Sequence, residues 1–169
     1  NGNLLIEKQP VHLASIIGPV IDGVFPSAEA KKITLEVDVE RSAKWINGDP
    51  NRIQQVVNNL LQNAIKFTPD GGKIAVSLGY DEDQALISVT DTGKGITSNF
   101  LPFVFDRYRQ ARGADRRAGL GLGLVIAKHI VELHGGTIRA ESEGEGLGAT
   151  FSIVLPVTAA IATAAEKPS

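Results

Sequence analysis

Apolar residues recur every three or four positions across residues 50 to 67, where Ile53, Val56, Val57, Leu60, Leu61, Ala64 and Ile65 fall on one stripe of a helix. Asp49 and Pro50 supply an N-cap acceptor and a first helical residue whose missing N–H is an orphan there anyway. Thr68-Pro69-Asp70-Gly71-Gly72 is a turn sequence that closes the helix. The same spacing in Leu124, Val125, Ile126, His129, Ile130 and Leu133 predicts a helix over 122 to 134, ending at the glycine stop Gly135-Gly136. Residues 11 to 31 are helical in period as well, although Pro19 and Pro26 each threaten to break or kink that segment.

Strands are predicted at 33 to 39, 44 to 48, 73 to 80 and 85 to 91, and a final hairpin at 136 to 143 and 148 to 156. In the fourth strand Ile87, Val89 and Asp91 share one face, with Leu86, Ser88 and Thr90 on the other. Trp45 and Phe151 are read as core. Helices on one face of a mixed, mostly antiparallel sheet make an α+β two-layer sandwich. Residues 10 to 157 are expected to form the domain, with 1 to 9 trailing from an upstream helix and 158 to 169 forming a tail or linker.

The composition narrows the class. A chain of 169 residues is one domain's length, and the absence of any methionine, even at position 1, reads as a piece of a longer protein. With no cysteine there is no disulfide framework or thiolate metal site, which fits a reducing compartment. No apolar run approaches the ~20 residues that span a bilayer, so the fragment is expected to be cytoplasmic and to make no direct membrane contact, whether or not its parent is anchored. Seventeen basic against nineteen acidic residues give a formal charge of −2, with no global footprint for nucleic acid.

Candidate chemistry gathers in three blocks. Asn59, Asn63 and Lys66 stand at i, i+4 and i+7 on a second face of the first helix. Alone, the two asparagines read either as solvated amides or as carboxamide oxygens for a hard cation that keeps its waters and phosphate ligands. Asp91 ends a strand in register with apolar residues, where a carboxylate needs a donor; the exocyclic amine of a purine is one candidate, and an ordinary strand-to-turn exit is the other reading. Gly93 and Gly95 let the backbone approach a flat ring or turn sharply beneath it. Gly119-Leu120-Gly121-Leu122-Gly123-Leu124 feeds a helix N-terminus, where free N–H groups and the helix dipole suit an anion. Neither G-x-G-x-x-G spacing nor a G-x-x-x-x-G-K-[ST] run is present, which counts against dinucleotide-binding and P-loop readings. Arg107, Arg109, Arg112, Arg116 and Arg117 form a basic stretch before this block, read as a solvated loop or as a segment facing triphosphate charge.

In order and spacing, these blocks resemble the catalytic ATP-binding domain of sensor histidine kinases, within the group that includes DNA gyrase, the MutL repair proteins and the heat-shock chaperone ATPases. Asn59 to Pro69 is similar to the N box of that family, Asp91-Thr92-Gly93-Lys94-Gly95-Ile96 to its G1 box, Phe103 to Tyr108 to its F box, and Gly119 to Leu124 to its G2 box. The resemblance covers roughly residues 10 to 157 and implies a Bergerat-type ATP-binding fold. It implies ATP and Mg2+ as cofactors, with Asn63 on the metal, Lys66 on a phosphate and Asp91 on the adenine amine. Gly93, Gly95 and Ile96 would form the adenine pocket, and Gly119, Leu120, Gly121, Leu122 and Gly123 would meet the phosphates through a mobile lid.

Asn59 separates the subclasses. The ATPases of the group carry a glutamate there as general base on water, whereas an amide takes no proton at neutral pH. The resemblance therefore implies a protein-histidine kinase domain rather than a hydrolase. Its acceptor would be a histidine on an upstream dimerisation domain, and a downstream response-regulator receiver domain would take the phosphoryl group in two-component signalling. No phosphoacceptor motif surrounds His12, His129 or His134, which are read as ordinary, partly buried histidines. The alternatives are a nucleotide-binding pseudokinase or regulatory module, and an ATPase of the wider group.

Overall fold

A computed structural model describes residues 5–106 and 121–158. Its elements run β1 (Gln9–Val11), α1 (Leu13–Ala30), β2 (Thr34–Val39), β3 (Ile46–Gly48), α2 (Pro50–Phe67), β4 (Lys73–Tyr80), β5 (Gln84–Asp91), a 3₁₀ turn (Leu101–Phe103), α3 (Gly121–Leu133), β6 (Thr137–Glu141) and β7 (Ala149–Pro156). Five strands form one sheet in the order β2-β4-β5-β7-β6, and β1 pairs only with β3. All neighbours in the large sheet are antiparallel except β2 and β4, which run parallel with Val37 opposite Val76.

One face of the sheet carries the core. Ile74, Val76, Ile87, Val89 and Ile153 are buried there beneath the helices, while Ser88 bonds Ser152 and Thr90 bonds Thr150 across the opposite face. The α2 helix lies between α1 and α3 and presents the stripe read from its sequence, with Val57, Leu60 and Leu61 at most 1% exposed. Each such side chain contributes about 1.5–3 kcal/mol on leaving water. The two-layer α+β sandwich expected from the sequence is the architecture found. Among the described residues no helix is long and apolar enough to cross a membrane.

Both ends of α2 are tied to other segments. Asp49 caps its start, accepting from the backbone N–H groups of Asn51 and Arg52 on one carboxylate oxygen and from Glu7 on the other. Burial pushes the Asp49 carboxyl up, but those three donors and the charge of Arg52 outweigh it and hold the carboxyl below its ordinary range. The Asp49 N–H is donated to Nε2 of His134 at 3.0 Å, which leaves Nδ1 to carry the ring proton toward the Ile130 carbonyl at 2.8 Å. At the far end the ammonium of Lys31 meets the Ile65 carbonyl at 2.7 Å, a cation at the negative pole of the helix.

Several expectations need correction. The α1 helix runs unbroken through Pro19 and Pro26, because both prolines and the carbonyl-bearing residues they orphan, Ser15 and Asp22, lie on its exposed side. Val11 belongs to β1 rather than to that helix, Gln9 pairs with Gly48, and Glu7 reaches Asp49. Trp45 is half-buried rather than core: its ring meets His12 at 5.5 Å and its carbonyl accepts from Thr158. His134 is buried and His12 partly so, whereas His129 is exposed. Residues 159–169 of the expected tail lie outside the described residues.

Candidate functional site

A cleft opens where the second half of α2 passes the end of β5. Asn63, Ala64 and Phe67 line it from α2, Asp91 from β5, Gly95 and Ile96 from the loop that follows, and Ala149 and Phe151 from β7; it encloses about 300 Å³, its open mouth included. The period-two pattern of β5 puts Asp91 on the core face beside Ile87 and Val89, opposite Ala149 in the register with β7. Asp91 is only 7% exposed, and one of its carboxylate oxygens accepts from the Gly93 N–H at 2.8 Å. Helical spacing turns Asn63 toward the same cleft, where its amide nitrogen is buried with no hydrogen-bond partner among the described residues. A buried donor in that condition costs roughly 1–3 kcal/mol.

The floor is made of backbone. The Lys94 N–H donates to the Phe67 carbonyl, while Gly146 and Gly148 of the β6–β7 hairpin donate to the carbonyls of Lys94 and Gly93. These approaches leave no room for side chains: a Cβ at Gly93 would stand 2.3 Å from the Phe67 oxygen, and one at Gly95 2.1 Å from the Gly144 oxygen. Gly95 also has φ +70, a left-handed conformation natural to glycine. Behind the wall, Phe105 meets Phe151 edge to face at 6.2 Å between centroids.

Asn63, Asp91, Gly95 and Ile96 are therefore brought together as the sequence suggests. Gly93 acts beneath the floor, packed on the C-terminal carbonyl of α2, rather than on the cleft surface. Lys66 is exposed, and its ammonium sits 5.6 Å from the ring centre of Phe67 instead of lining the cleft. The Asn59 amide nitrogen donates to the carbonyl of Gly123 at 3.1 Å, joining α2 to the first turn of α3. Gly121 and Leu122 open that helix one residue earlier than expected, so this part of the glycine-rich block is helix rather than loop. Gly119 and Leu120, with Tyr108 and the arginines from Arg107 to Arg117, lie outside the described residues. The strict alternation of β7 marks Ala149 and Phe151 as inward, but only the fold sets them and Gly148 beside Asp91.

The family described as histidine kinase-, DNA gyrase B-, and HSP90-like ATPase matches residues 48–159. The chain belongs to this family, as a catalytic ATP-binding domain of the sensor histidine kinase kind. It is 36% identical over 156 residues to the adaptive-response sensory kinase SasA of Synechococcus sp., covering 91% of this chain and 41% of SasA. The mycobacterial sensor histidine kinase MprB superposes with a TM-score of 0.76 at 31% identity, covering 89% of this chain and 98% of that one. Full-length ShkA in complex with AMPPNP superposes with a TM-score of 0.77 at 27% identity, covering 92% of this chain and 32% of ShkA. Eight curated sensors and kinases of this family, 32% to 39% identical, are longer proteins of which the chain spans 12% to 41%. Membership of the histidine-kinase ATPase family supports ATP binding and a kinase role.

Proposed function

We propose that this domain binds Mg-ATP in the cleft between α2 and β5 and donates the γ-phosphoryl group to a histidine on a separate dimerisation domain. The observation that carries the reading is the pairing of two polar groups in one largely apolar cleft: Asp91 at the end of β5 and Asn63 on the α2 wall, its amide nitrogen without a partner among the described residues. An apolar slot with few convergent polar groups suits a flat base carrying a charged tail. Asp91 would accept the adenine amine, Gly95 and Ile96 would lie under the ring, and Asn63 would face the phosphates. Lys66, exposed one turn beyond, would meet phosphate charge from outside. The AMPPNP complex of ShkA supports the same ligand class here.

Magnesium fits the residues in a particular way. No group of three His, Cys, Asp or Glu side chains capable of holding a metal occurs among the described residues, so the protein offers no closed cage. What the cleft offers is the Asn63 carboxamide, a neutral oxygen that suits an ion bringing its own waters and phosphate oxygens. When bound, the ion would neutralise phosphate charge and orient the γ-phosphoryl group.

Asn59 supports transferase over hydrolase chemistry. Its amide cannot act as a base on water and is already committed to the Gly123 carbonyl. A neutral histidine imidazole needs no base to be a nucleophile, so positioning and charge screening suffice. The chain's own histidines fit poorly as acceptors: His134 and His12 have both ring nitrogens engaged, and His129 lies exposed on α3 away from the cleft lining. The acceptor domain and a response-regulator receiver are thus proposed as partners, with transfer taking place in the cytoplasm.

Calorimetric titration with a non-hydrolysable ATP analogue tests the first half of the reading. Saturable binding strengthened by magnesium is expected, followed by acid-labile phosphate on a histidine domain when that domain and ATP are supplied. A folded chain that binds no analogue overturns the reading.

A further inference from the structure

The floor of the cleft depends on a residue that belongs to none of the four sequence blocks. Ser142 stands just past β6, and its hydroxyl accepts the Ile96 N–H at 2.9 Å while donating to the Gly148 carbonyl at 2.6 Å. The Gly144 N–H approaches the same oxygen at 3.3 Å, so the one proton and both lone pairs are in use. The other hydrogen bonds across this seam run backbone to backbone, from Gly146 to Lys94 and from Gly148 to Gly93. Two of the groups that Ser142 holds bear on the site. Ile96 is 2% exposed and lines the cleft, and Gly148 packs so closely on the Asp91 carbonyl that a Cβ there would stand 2.1 Å from it.

We infer that Ser142 is a positioning residue for base recognition: it fixes the Gly95-Ile96 floor and the Asp91 carboxylate in register through Ile96 and Gly148. This rests on the nucleotide reading above. Removing the hydroxyl strands the Ile96 N–H and the Gly148 carbonyl without moving Asn63, which belongs to α2 on the other wall. The base end of the site should loosen and the phosphate end should not.

The test uses the full 169-residue chain and titrates ADP and GDP, with and without magnesium. Ser142→Ala is expected to weaken ADP binding about tenfold, the worth of one well-placed hydrogen bond. It should also narrow the preference for ADP over GDP and leave the increment due to magnesium unchanged. Ser142→Thr, which keeps the hydroxyl, should restore both affinity and preference. A folded Ser142→Ala chain with a lower melting temperature but wild-type ADP affinity and preference overturns the inference, as does a loss confined to the magnesium increment. Should the alanine variant fail to fold, Ser142→Cys, of similar volume and with only a weak acceptor, takes its place. A wild-type chain that binds no ADP overturns the nucleotide reading and this inference with it; wild-type binding that Ser142→Ala leaves unchanged overturns this inference alone.

Discussion

The two halves of α2 solve opposite problems. At its start the polar groups answer one another: Asp49 takes three backbone donors, gives its own N–H to His134, and His134 donates its remaining N–H to Ile130. Four turns on, the Asn63 amide nitrogen is buried with no partner among the described residues, beside a cleft. The first arrangement holds β1, β3, α2 and α3 together and leaves nothing for a ligand. The second is tolerated because the rest of the helix is secured, and it presents an amide that a ligand can use. A polar network that is complete reads as structure; a gap in one, held open by rigid neighbours, reads as a site.

Substitutions at the two ends should therefore separate stability from binding. The largest effect is expected from His134→Ala, which strands the buried Asp49 N–H and opens space against Gly48: a loss of about 3 kcal/mol in urea unfolding, with ADP affinity of the folded chain within about twofold. A collapse of affinity at unchanged stability would reverse the roles of the two ends. Asp91→Asn should do the opposite, weakening ATP and ADP alike by about thirtyfold, as for loss of a charged hydrogen bond, while unfolding moves by less than about 1 kcal/mol. Equal affinity of the parent chain for GTP would undermine that role. Asn63→Ala should lower the magnesium increment by about tenfold and leave stability level or slightly higher, since an orphan donor is removed. Titrations at several magnesium concentrations read the first effect and thermal unfolding the second.

The smallest effect separates the ends by pH. Because the folded-state Asp49 carboxyl titrates below its ordinary value of 3.8, its contribution is complete above that value and drains away as pH falls through the folded one. The stability gap between wild type and Asp49→Asn should therefore shrink in acid, measured by urea unfolding from pH 6 downward. A gap that widens on acidification would mean the cap is not working as a carboxylate.

What the sequence made legible was whatever fits within one element. The α2 stripe, its Asp49-Pro50 start and its Thr68-Pro69 stop occupy one contiguous run, and the alternation of β5 suffices to turn Asp91 inward. Three residues such as Gln9–Val11 have no period to detect, and they become a strand only because Ile46–Gly48 lies alongside. Helical spacing put Lys66 in line with Asn63, yet a long side chain answers to its neighbours, and this one leans over Phe67. Ser142 was hidden for a related reason. Ser142-Glu143-Gly144-Glu145-Gly146 reads as any solvated turn, and its partner Ile96 lies 46 residues earlier. The prolines of α1 threaten the helix in sequence alone, because sequence records the lost hydrogen bond but not the exposed side on which it falls.

A floor made of main chain has a consequence for drug resistance. A flat inhibitor resting on the floor that Gly93, Gly95 and Gly148 hold in place would depend on positions where any added carbon lies within 2.3 Å of a carbonyl oxygen. Substitution at those positions would damage the protein before it dislodged the inhibitor. Escape would have to come through the walls, at Ala64, Ala149 or Phe151, so resistance selected against such a compound should map there, and a second compound built around those three positions would close the remaining route.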